Sequence, residues 1–397
     1  MSEDRLLTTD DVARHLGVKK ATVYAYVSRG LLVSRRNARG KESVFREADV
    51  KAFKARRRHG STAPEQAIDT GITLITENAL HYRGFDATLL ARRASFEAVS
   101  TLLWTGTLQH VACTPDPGLL ALAEAVTAPL PTTARLTDRL RVVVAAAGAA
   151  DPLRFDTTPA AVVTTGRTII ATMVAALPPR SPEADGTLAA RLWSRLTDAA
   201  PAPDRIEALN AALVLLADHD LAASTYAARV AASTRAHPYA VVGAGLAALD
   251  GPLHGAASGV VADLLSTAIR SGDAVGTVSD RLRTGGGVPG FGHPLYPGGD
   301  PRAAALLGYV ASLRDPGVPD AIDEVRAAVR SRPNIDFALA ALTLRTGMPP
   351  DAGEAIFAIA RTAGWIAHAI EEYADRPSRF RPNGRYAGVR TGPKGAL

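Results

Sequence analysis

Cysteine is almost missing from this chain: Cys113 is the single cysteine among 397 residues. One thiol excludes an internal disulfide and a metal site built from several cysteines. The sequence also lacks a basic-then-apolar signal pattern and any apolar run near the roughly 20 residues that a membrane-spanning helix needs. Its 47% hydrophobic and 21% charged residues exclude disorder along the whole chain. We therefore expect a soluble cytoplasmic protein with no membrane partner, resident metal or cofactor.

Basic residues are concentrated in the N-terminal sixth of the chain. Residues 1–60 hold 15 Lys and Arg but 7 Asp and Glu, a net charge of +8, whereas the other 337 residues carry −2. This asymmetry predicts a small basic module attached to a nearly neutral body. Nucleic acid is one partner that suits such a module.

The order of elements in the basic module points to one kind of domain. Thr8 or Thr9 can cap a helix that ends at Gly17. A second helix is predicted from Lys20 to Arg29, then short strands at 31–33 and 43–45 around a basic loop at 35–41, and a third helix at 46–58. This order resembles the winged helix-turn-helix domains of the MerR and excisionase type.

That resemblance implies a second helix in the major groove and a wing on the phosphate backbone. Tyr26 is expected to be exposed beside the second helix. The candidate DNA-binding residues are Lys19, Lys20, Thr22, Tyr24, Arg35 and Arg36. The basic ones would supply salt-sensitive attraction to phosphates. The alternative is a basic helical bundle that docks on the body or on another protein.

The body is rich in Ala, Leu and Val with helical periodicity and few strand signals, so a mainly α fold is predicted. Predicted helices include 95–104, 188–196, 206–216, 224–232, 260–269, 335–346 and 354–373.

Four polar residues in the body stand in informative surroundings. His254 and His293 lie in glycine-rich segments, where backbone and ligand can approach closely. Asp336 stands at a predicted helix start and can be either a capping or first-turn carboxylate, or a general base. Arg361 lies on an otherwise apolar helix and needs an anionic ligand or an internal ion pair.

Ordered segments from about Ile72 to Gly388 resemble the citrate synthase family. These segments are Tyr82–Asp86, Ser95–Gly106, Ala217–Thr225, Gly251–Gly255, Gly290–His293 followed by Asp300–Arg302, Pro333–Phe337, Ala360–His368 and Arg381–Gly388. The resemblance implies a mainly α, two-domain fold and a homodimer. The predicted organisation is a winged helix-turn-helix domain at 1–60, a linker at 61–71, a large domain at 72–255 and 351–397, and a small domain at 256–350.

The resemblance also implies a reaction: condensation of acetyl-CoA with oxaloacetate, followed by hydrolysis of the thioester. Asp336 would remove a methyl proton, His254 would donate a hydrogen bond to the thioester oxygen, and His293 would protonate the oxaloacetate carbonyl. The carboxylates of oxaloacetate would bind His219, Arg302, Arg361 and, from the other subunit, Arg381. Guanidinium suits this task because it is always charged and grips carboxylate in a fork.

The chain departs from the family pattern in four places. After His254 it has Gly255-Ala256-Ala257-Ser258 instead of Gly-Gly-Ala-Asn, and Ala338-Leu339-Ala340 replaces Tyr-Ser-Gly. Pro294-Leu295 replaces the usual pattern after His293, and Pro297 replaces a basic residue that helps to hold CoA. Two alternatives therefore stay open. One is a 2-methylcitrate synthase that uses propionyl-CoA; the other is a regulator whose body senses a dicarboxylate or acyl-CoA and whose basic module is the output.

Overall fold

The computed structural model describes residues 6–28, 32, 34–36, 43–47, 49–51, 53, 68–184, 186–313 and 321–382. The chain divides into two compact units, residues 1–69 and 70–397. The domain boundaries predicted within the second unit stay a prediction.

The first unit combines short helices with a three-stranded antiparallel sheet. Its elements are β1 (Leu6–Thr8), α1 (Thr9–Leu16), α2 (Lys20–Ser28), β2 (Arg35–Arg36) and β3 (Ser43–Arg46), and the strand order is β1-β3-β2. Thr8 caps α1 by accepting a hydrogen bond from the backbone N–H of Asp11 (3.3 Å), and Gly17 ends the helix with a φ of 65°. Both features agree with the predicted first helix.

Two predictions for the first unit need correction. The strand expected at 31–33 is wrong at Leu32, which is a buried bend residue. The strand lies instead at Arg35–Arg36, inside the predicted wing loop, because these residues pair with Val44 and Ser43 of β3. Arg46 belongs to β3 rather than to the third helix, whose described residues 47, 49–51 and 53 are helical.

The second unit is mainly helical, with one small antiparallel sheet of order β4-β5-β6 that the sequence did not predict. Its strands are β4 (Thr73–Ile75), β5 (Leu80–Tyr82) and β6 (Phe85–Asp86). Its helices are α3 (Ala87–Arg93), α4 (Phe96–Thr105), α5 (Pro117–Thr127), α6 (Leu136–Ala150), α7 (Pro159–Ala175), α8 (Leu188–Leu196), α9 (Pro203–Leu216), α10 (Ala223–Ser233), α11 (Pro238–Leu249), α12 (Ala257–Ser271), α13 (Ala274–Arg283), α14 (Pro301–Ser312), α15 (Ala321–Ala328), α16 (Ile335–Arg345) and α17 (Ala352–Ala374).

Helix α17 runs through the core of this unit, and its side chains from Ala352 to Ala369 are buried on all sides. A helix that is apolar all round belongs in an interior. Small residues allow its neighbours to approach closely. A Cβ on Gly364 would lie 2.6 Å from the backbone oxygen of Ala217, and one on Gly245 of α11 would lie 2.5 Å from the indole of Trp365. The backbone N–H of Gly364 also donates to that oxygen at 2.9 Å. Helix α17 thereby fixes the loop that joins α9 to α10.

Candidate active site

Three aromatic side chains from two loops meet at the centre of the second unit. His219 comes from the α9–α10 loop, whereas His293 and Tyr296 come from the segment before α14. The Nε2 atom of His219 lies 3.0 Å from the hydroxyl of Tyr296. The rings of His219 and His293 are 5.3 Å apart, edge to face. Both loops therefore contribute to one cluster of polar side chains.

A strong ion pair holds Arg302 at the start of α14. Its Nε and Nη2 atoms donate to the two carboxylate oxygens of Asp300 at 3.0 and 2.8 Å. Asp300 also caps α14 and accepts the backbone N–H of Ile335 at 3.1 Å. Burial alone would lower the pKa of Arg302, but the Asp300 carboxylate raises it overall. The ion pair thus keeps Arg302 charged and fixes its direction.

Arg361 is the buried cation that lacks a carboxylate among the described residues. It is 1% exposed, its Nε donates to the backbone oxygen of Leu216 at 2.9 Å, and its Nη2 is buried without a described partner. Burial lowers its pKa to about 10. The charge of Asp218 opposes this shift, but no carboxylate forms a direct ion pair with Arg361 among the described residues, so an anionic ligand stays a prediction. A buried cation without a partner favours binding of such a ligand, because the ligand supplies the missing opposite charge.

Asp336 stands in the first turn of α16, but it is not the cap. Asn334 caps the helix and accepts the backbone N–H of Asp336 at 3.1 Å. The Oδ1 atom of Asp336 is buried and has no hydrogen-bond partner among the described residues. Burial raises the pKa of Asp336 to about 6, although nearby Arg302 opposes the shift. A carboxylate with few hydrogen bonds and a raised pKa is suited to remove a proton.

His254 lies in the turn between α11 and α12 and is held by the first turn of α10. Its Nε2 atom lies 2.8 Å from the hydroxyl of Ser224 and accepts the backbone N–H of Ser224 at 3.3 Å. Burial, followed by the charge of Arg361, lowers the pKa of His254 to about 4. His254 is therefore a neutral imidazole at neutral pH, as the sequence interpretation required.

The other two histidines are neutral for related reasons. Burial, then Arg302 and Arg361, lowers the pKa of His219 well below its usual value. Burial and Arg302 also lower the pKa of His293, whose Nδ1 accepts the backbone N–H of Leu295 at 3.1 Å. Because Nδ1 of His293 is an acceptor, the proton of the neutral ring lies on Nε2.

The structure brings six of the seven predicted substrate and catalytic residues to this region. Electrostatic interactions link His219 with His254, His293, Arg302 and Arg361, and link Asp336 with Arg302. Arg381 is the exception, because it is exposed near the end of the described chain. A single subunit therefore holds the cluster without it.

Sequence reasoning missed several residues that organise the site. Tyr296 contacts His219 directly, and Ser224 contacts His254 directly. Trp365 reaches His254 through the hydroxyl oxygen of Ser224. Ser224 lies inside a segment that carries the family resemblance, and Tyr296 lies between two such pieces, but the resemblance gave neither of them a role. The Asp300-Pro301 pair carried a helix-start signal that could have drawn attention to Asp300.

The predicted DNA-binding residues stand as follows. Lys19 is exposed and Tyr24 is 56% exposed, whereas Lys20 is paired with Asp10 at 2.5 Å. Thr22 is half-buried. Arg35 and Arg36 pair with β3 through their backbone. The exposure predicted for Tyr26 is wrong: it is half-buried, and its ring packs 5.1 Å from that of Phe53.

Within the described ranges, no group of three or more His, Cys, Asp or Glu side chains is placed to hold a metal ion. In the same part of the chain, no helix is long and apolar enough to cross a membrane.

Comparison with protein families gives two matches. The family model for the C-terminal domain of citrate synthase matches residues 63–383, and a helix-turn-helix model matches residues 6–58. The chain is 33% identical over 346 residues to the citrate synthase of Acidithiobacillus ferridurans, covering 78% of this chain and 89% of that protein. It is 30% identical over 349 residues to 2-methylcitrate synthase 2 of Corynebacterium glutamicum, with the same coverage.

Solved structures give the same fold. The citrate synthase of Thermoplasma acidophilum, solved with carboxymethyl coenzyme A and oxaloacetate, superposes with a TM-score of 0.70 at 23% identity over 84% of this chain and 97% of that one. The Pyrobaculum aerophilum citrate synthase superposes with a TM-score of 0.68 at 25% identity, covering 84% and 96%. The predicted mainly α fold with a small helix-turn-helix region is confirmed.

Proposed function

Because this chain belongs to the citrate synthase family, we propose that it condenses acetyl-CoA with oxaloacetate and hydrolyses the product thioester to citrate and CoA. The observation that carries the proposal is one cluster in which Arg302 interacts both with the buried guanidinium of Arg361, whose Nη2 has no described hydrogen-bond partner, and with the desolvated carboxylate of Asp336. The guanidinium selects an anion, and the carboxylate supplies a base.

Oxaloacetate is a dianion, and the pocket offers two cations on rigid helices. The free Nη2 of Arg361 accounts for one carboxylate. Arg302 keeps guanidinium donors beyond those that Asp300 uses. His219, which is neutral and held by Tyr296, is suited to hydrogen-bond the ligand without adding a third charge.

The methyl group of a thioester is a very weak acid, so a base and an enol stabiliser must act together. Asp336 takes the proton, and its missing hydrogen bonds leave the carboxylate basic. His254 donates from Nδ1 to the thioester oxygen as negative charge grows there, since its Nε2 is already an acceptor.

Carbon–carbon bond formation then puts negative charge on the carbonyl oxygen of oxaloacetate. His293 protonates that oxygen from Nε2. The resulting citryl thioester is hydrolysed by water, which releases citrate and CoA.

The test is release of free CoA thiol from acetyl-CoA and oxaloacetate, with Asp336→Asn as an isosteric control. Release should require both substrates and fall about 100-fold or more in the variant, the usual contribution of a general base. A folded protein without release from acetyl- or propionyl-CoA would contradict the proposal and favour the sensor alternative.

The relatives in Corynebacterium glutamicum named 2-methylcitrate synthase favour a second candidate, with propionyl-CoA as substrate. One methyl group changes selectivity by about 10- to 200-fold. A higher kcat/KM with propionyl-CoA than with acetyl-CoA would assign the chain to that reaction.

We also propose a homodimer in which Arg381 completes the site of the other subunit. A shallow groove of about 840 Å³ on α6 and α11 is lined by small residues, including Ala145, Gly148 and Gly243. Leu153 and Phe155 beside α6 are 75% and 66% exposed. An apolar, small-residue surface of this kind suits close contact with the same surface of a second copy.

Mixed dimers test the placement of Arg381. Arg381→Ala and His254→Ala homodimers should each be inactive. Mixed dimers hold one intact site if Arg381 acts across the interface, so an equal mixture should regain about a quarter of wild-type activity. No recovery, with subunit exchange verified by mass, would place Arg381 in the site of its own subunit.

A further inference from the structure

Two buried side chains, Trp365 and Ser224, connect helix α17 to His254 through hydrogen bonds. The indole Nε1 of Trp365 donates to the hydroxyl of Ser224 at 3.3 Å, and that hydroxyl lies 2.8 Å from Nε2 of His254. Trp365 and Ser224 are both 0% exposed. The backbone N–H of Ser224 reaches the same Nε2 at 3.3 Å.

The donors in this series of hydrogen bonds determine which atom carries each proton. Indole N–H and backbone N–H groups can only donate. The Ser224 oxygen is therefore the acceptor from Trp365, and Nε2 of His254 is the acceptor from the Ser224 backbone. The remaining proton, on the Ser224 hydroxyl, points at Nε2, so the neutral ring of His254 carries its own proton on Nδ1. None of the described residues hydrogen-bonds Nδ1.

The position of the indole is set by a close contact with α11. Gly245 lies against the ring, and a Cβ there would be 2.5 to 2.8 Å from three of its atoms. The indole is thus confined between α11 and α10, and its N–H has a fixed direction. The backbone N–H of Ser224 belongs to the first turn of α10, where N–H groups have no partner within the helix. The positive end of the helix dipole also disfavours a protonated Nε2 on His254.

We propose that Trp365 is a positioning residue for catalysis: through the Ser224 hydroxyl it reinforces the tautomer of His254 that carries its proton on Nδ1. The catalytic consequence rests on the proposed function of His254, whereas the tautomer itself does not. Without the indole donor, the Ser224 hydroxyl is free to rotate away from Nε2. The long backbone N–H contact at 3.3 Å is then the remaining donor to Nε2, so the preference for a proton on Nδ1 becomes weaker.

The first readout is the ¹⁵N chemical shifts of histidine-labelled full-length protein, with the His254 signals identified by their loss in His254→Ala. Wild type should show a protonated Nδ1 and an unprotonated Nε2. Trp365→Phe should shift both signals toward a mixture of tautomers. Trp193→Phe is the matched control, because Trp193 is equally buried and its Nε1 donates at 2.8 Å to the backbone of Ala199, away from His254.

The second readout is kinetic. Trp365→Phe should lower kcat about tenfold, which corresponds to the free-energy contribution of one hydrogen bond. The KM for oxaloacetate should stay unchanged. Because Trp365 acts through Ser224, the double variant with Ser224→Ala should be no slower than Ser224→Ala alone.

The outcomes separate the two proposals. The role of Trp365 would be overturned if the His254 signals were unchanged in Trp365→Phe. It would also be overturned if kcat fell equally in Trp365→Phe and Trp193→Phe. Correct tautomer shifts in a protein without condensing activity would support the role of Trp365 and contradict the proposed function.

Discussion

Burial moves the pKa values of Asp336 and His254 in directions that serve one reaction. The pKa of Asp336 rises to about 6 and that of His254 falls to about 4. Above pH 6 the site therefore holds an ionised base and a neutral hydrogen-bond donor together. A positive His254 would attract the carboxylate that must stay free to remove a proton.

The raised pKa of Asp336 also affects stability. Since it is higher in the folded state than the usual 3.8, ionisation of Asp336 opposes folding, and this loss grows as pH rises from about 4 through 6. Asp336→Asn should therefore be more stable than wild type at pH 8, with the difference shrinking toward pH 5. Denaturant unfolding measures this.

The exposed residue Asp263 provides the control. Asp263→Asn should show no such pH-dependent gain. A gain for Asp336→Asn that stays constant from pH 5 to 8 would contradict the shift.

Residue identity predicted some members of the site and not others. Arg361 could be found because a charge on an apolar helix is conspicuous in sequence, and Asp336 because it stands beside a helix start. Ser224 and Tyr296 could not, because a serine and a tyrosine gain their roles from rings that lie 30 and 77 positions away.

Helix α17 is the element that ties the site together. It carries Arg361 and Trp365 one turn apart, and Gly364 between them touches the α9–α10 loop that holds His219. A helix buried on every side transmits a local change directly, because close-packed interiors have little space to absorb it.

Gly364→Ala tests this coupling. The added methyl would press on the backbone of Ala217 and on the side chain of Asp218, so we expect a loss of about 1–3 kcal/mol in unfolding free energy. A raised KM for oxaloacetate should accompany it, because His219 follows Asp218. Thermal unfolding and steady-state kinetics measure the two effects.

Gly308→Ala is the matched control, because Gly308 also lies within a helix and a Cβ there meets nothing within 4 Å. It should be neutral or slightly stabilising. Equal effects of the two variants would show that helix propensity, rather than the contact with the loop, determines the result.

The seven helices predicted in the body begin and end within three residues of the observed ones, because apolar periodicity is a local signal. Other helices, such as α7, were not predicted. Among the described strands, β3 agrees with the strand predicted at 43–45, and the others were not predicted. Strands β4 to β6 are two or three residues long, and packing holds them: the Thr73 hydroxyl donates to Asp218 at 2.5 Å, and the Tyr82 hydroxyl donates to its backbone at 3.0 Å. Strand β2 likewise depends on pairing with β3. Such long-range partners leave little trace in a local pattern.

At the scale of the whole molecule, the chain joins a helix-turn-helix unit to an enzyme-family body. We propose that the first unit binds DNA through α2 and the basic strand β2. The net charge of +8 on residues 1–60 and the exposure of Lys19 and Tyr24 support this. Docking of this unit on another protein is the alternative.

Salt dependence distinguishes these partners. If Lys19 and Lys20 each neutralise a phosphate, the double variant Lys19→Gln/Lys20→Gln should reduce the slope of log affinity against log salt by about 2. Titration of the full chain onto duplex DNA at several salt concentrations measures the slope.

Lys51→Gln is the control for charge alone, because Lys51 is exposed and paired with Glu47. It should change the slope less than the double variant does. Binding that is absent, or indifferent to salt, would favour docking on a protein. Repeating the titration with oxaloacetate and CoA tests whether the body regulates the first unit.

The unpaired guanidinium of Arg361 has a consequence for laboratory evolution. Because Arg361 is buried with an Nη2 atom that has no hydrogen-bond partner among the described residues, replacing it with an apolar residue of similar size would stabilise the fold while abolishing its binding of an anion. Screening a library for heat resistance alone should therefore enrich substitutions at this position. Screening the same library in the presence of the dicarboxylate should retain arginine, because there the ligand completes the interior.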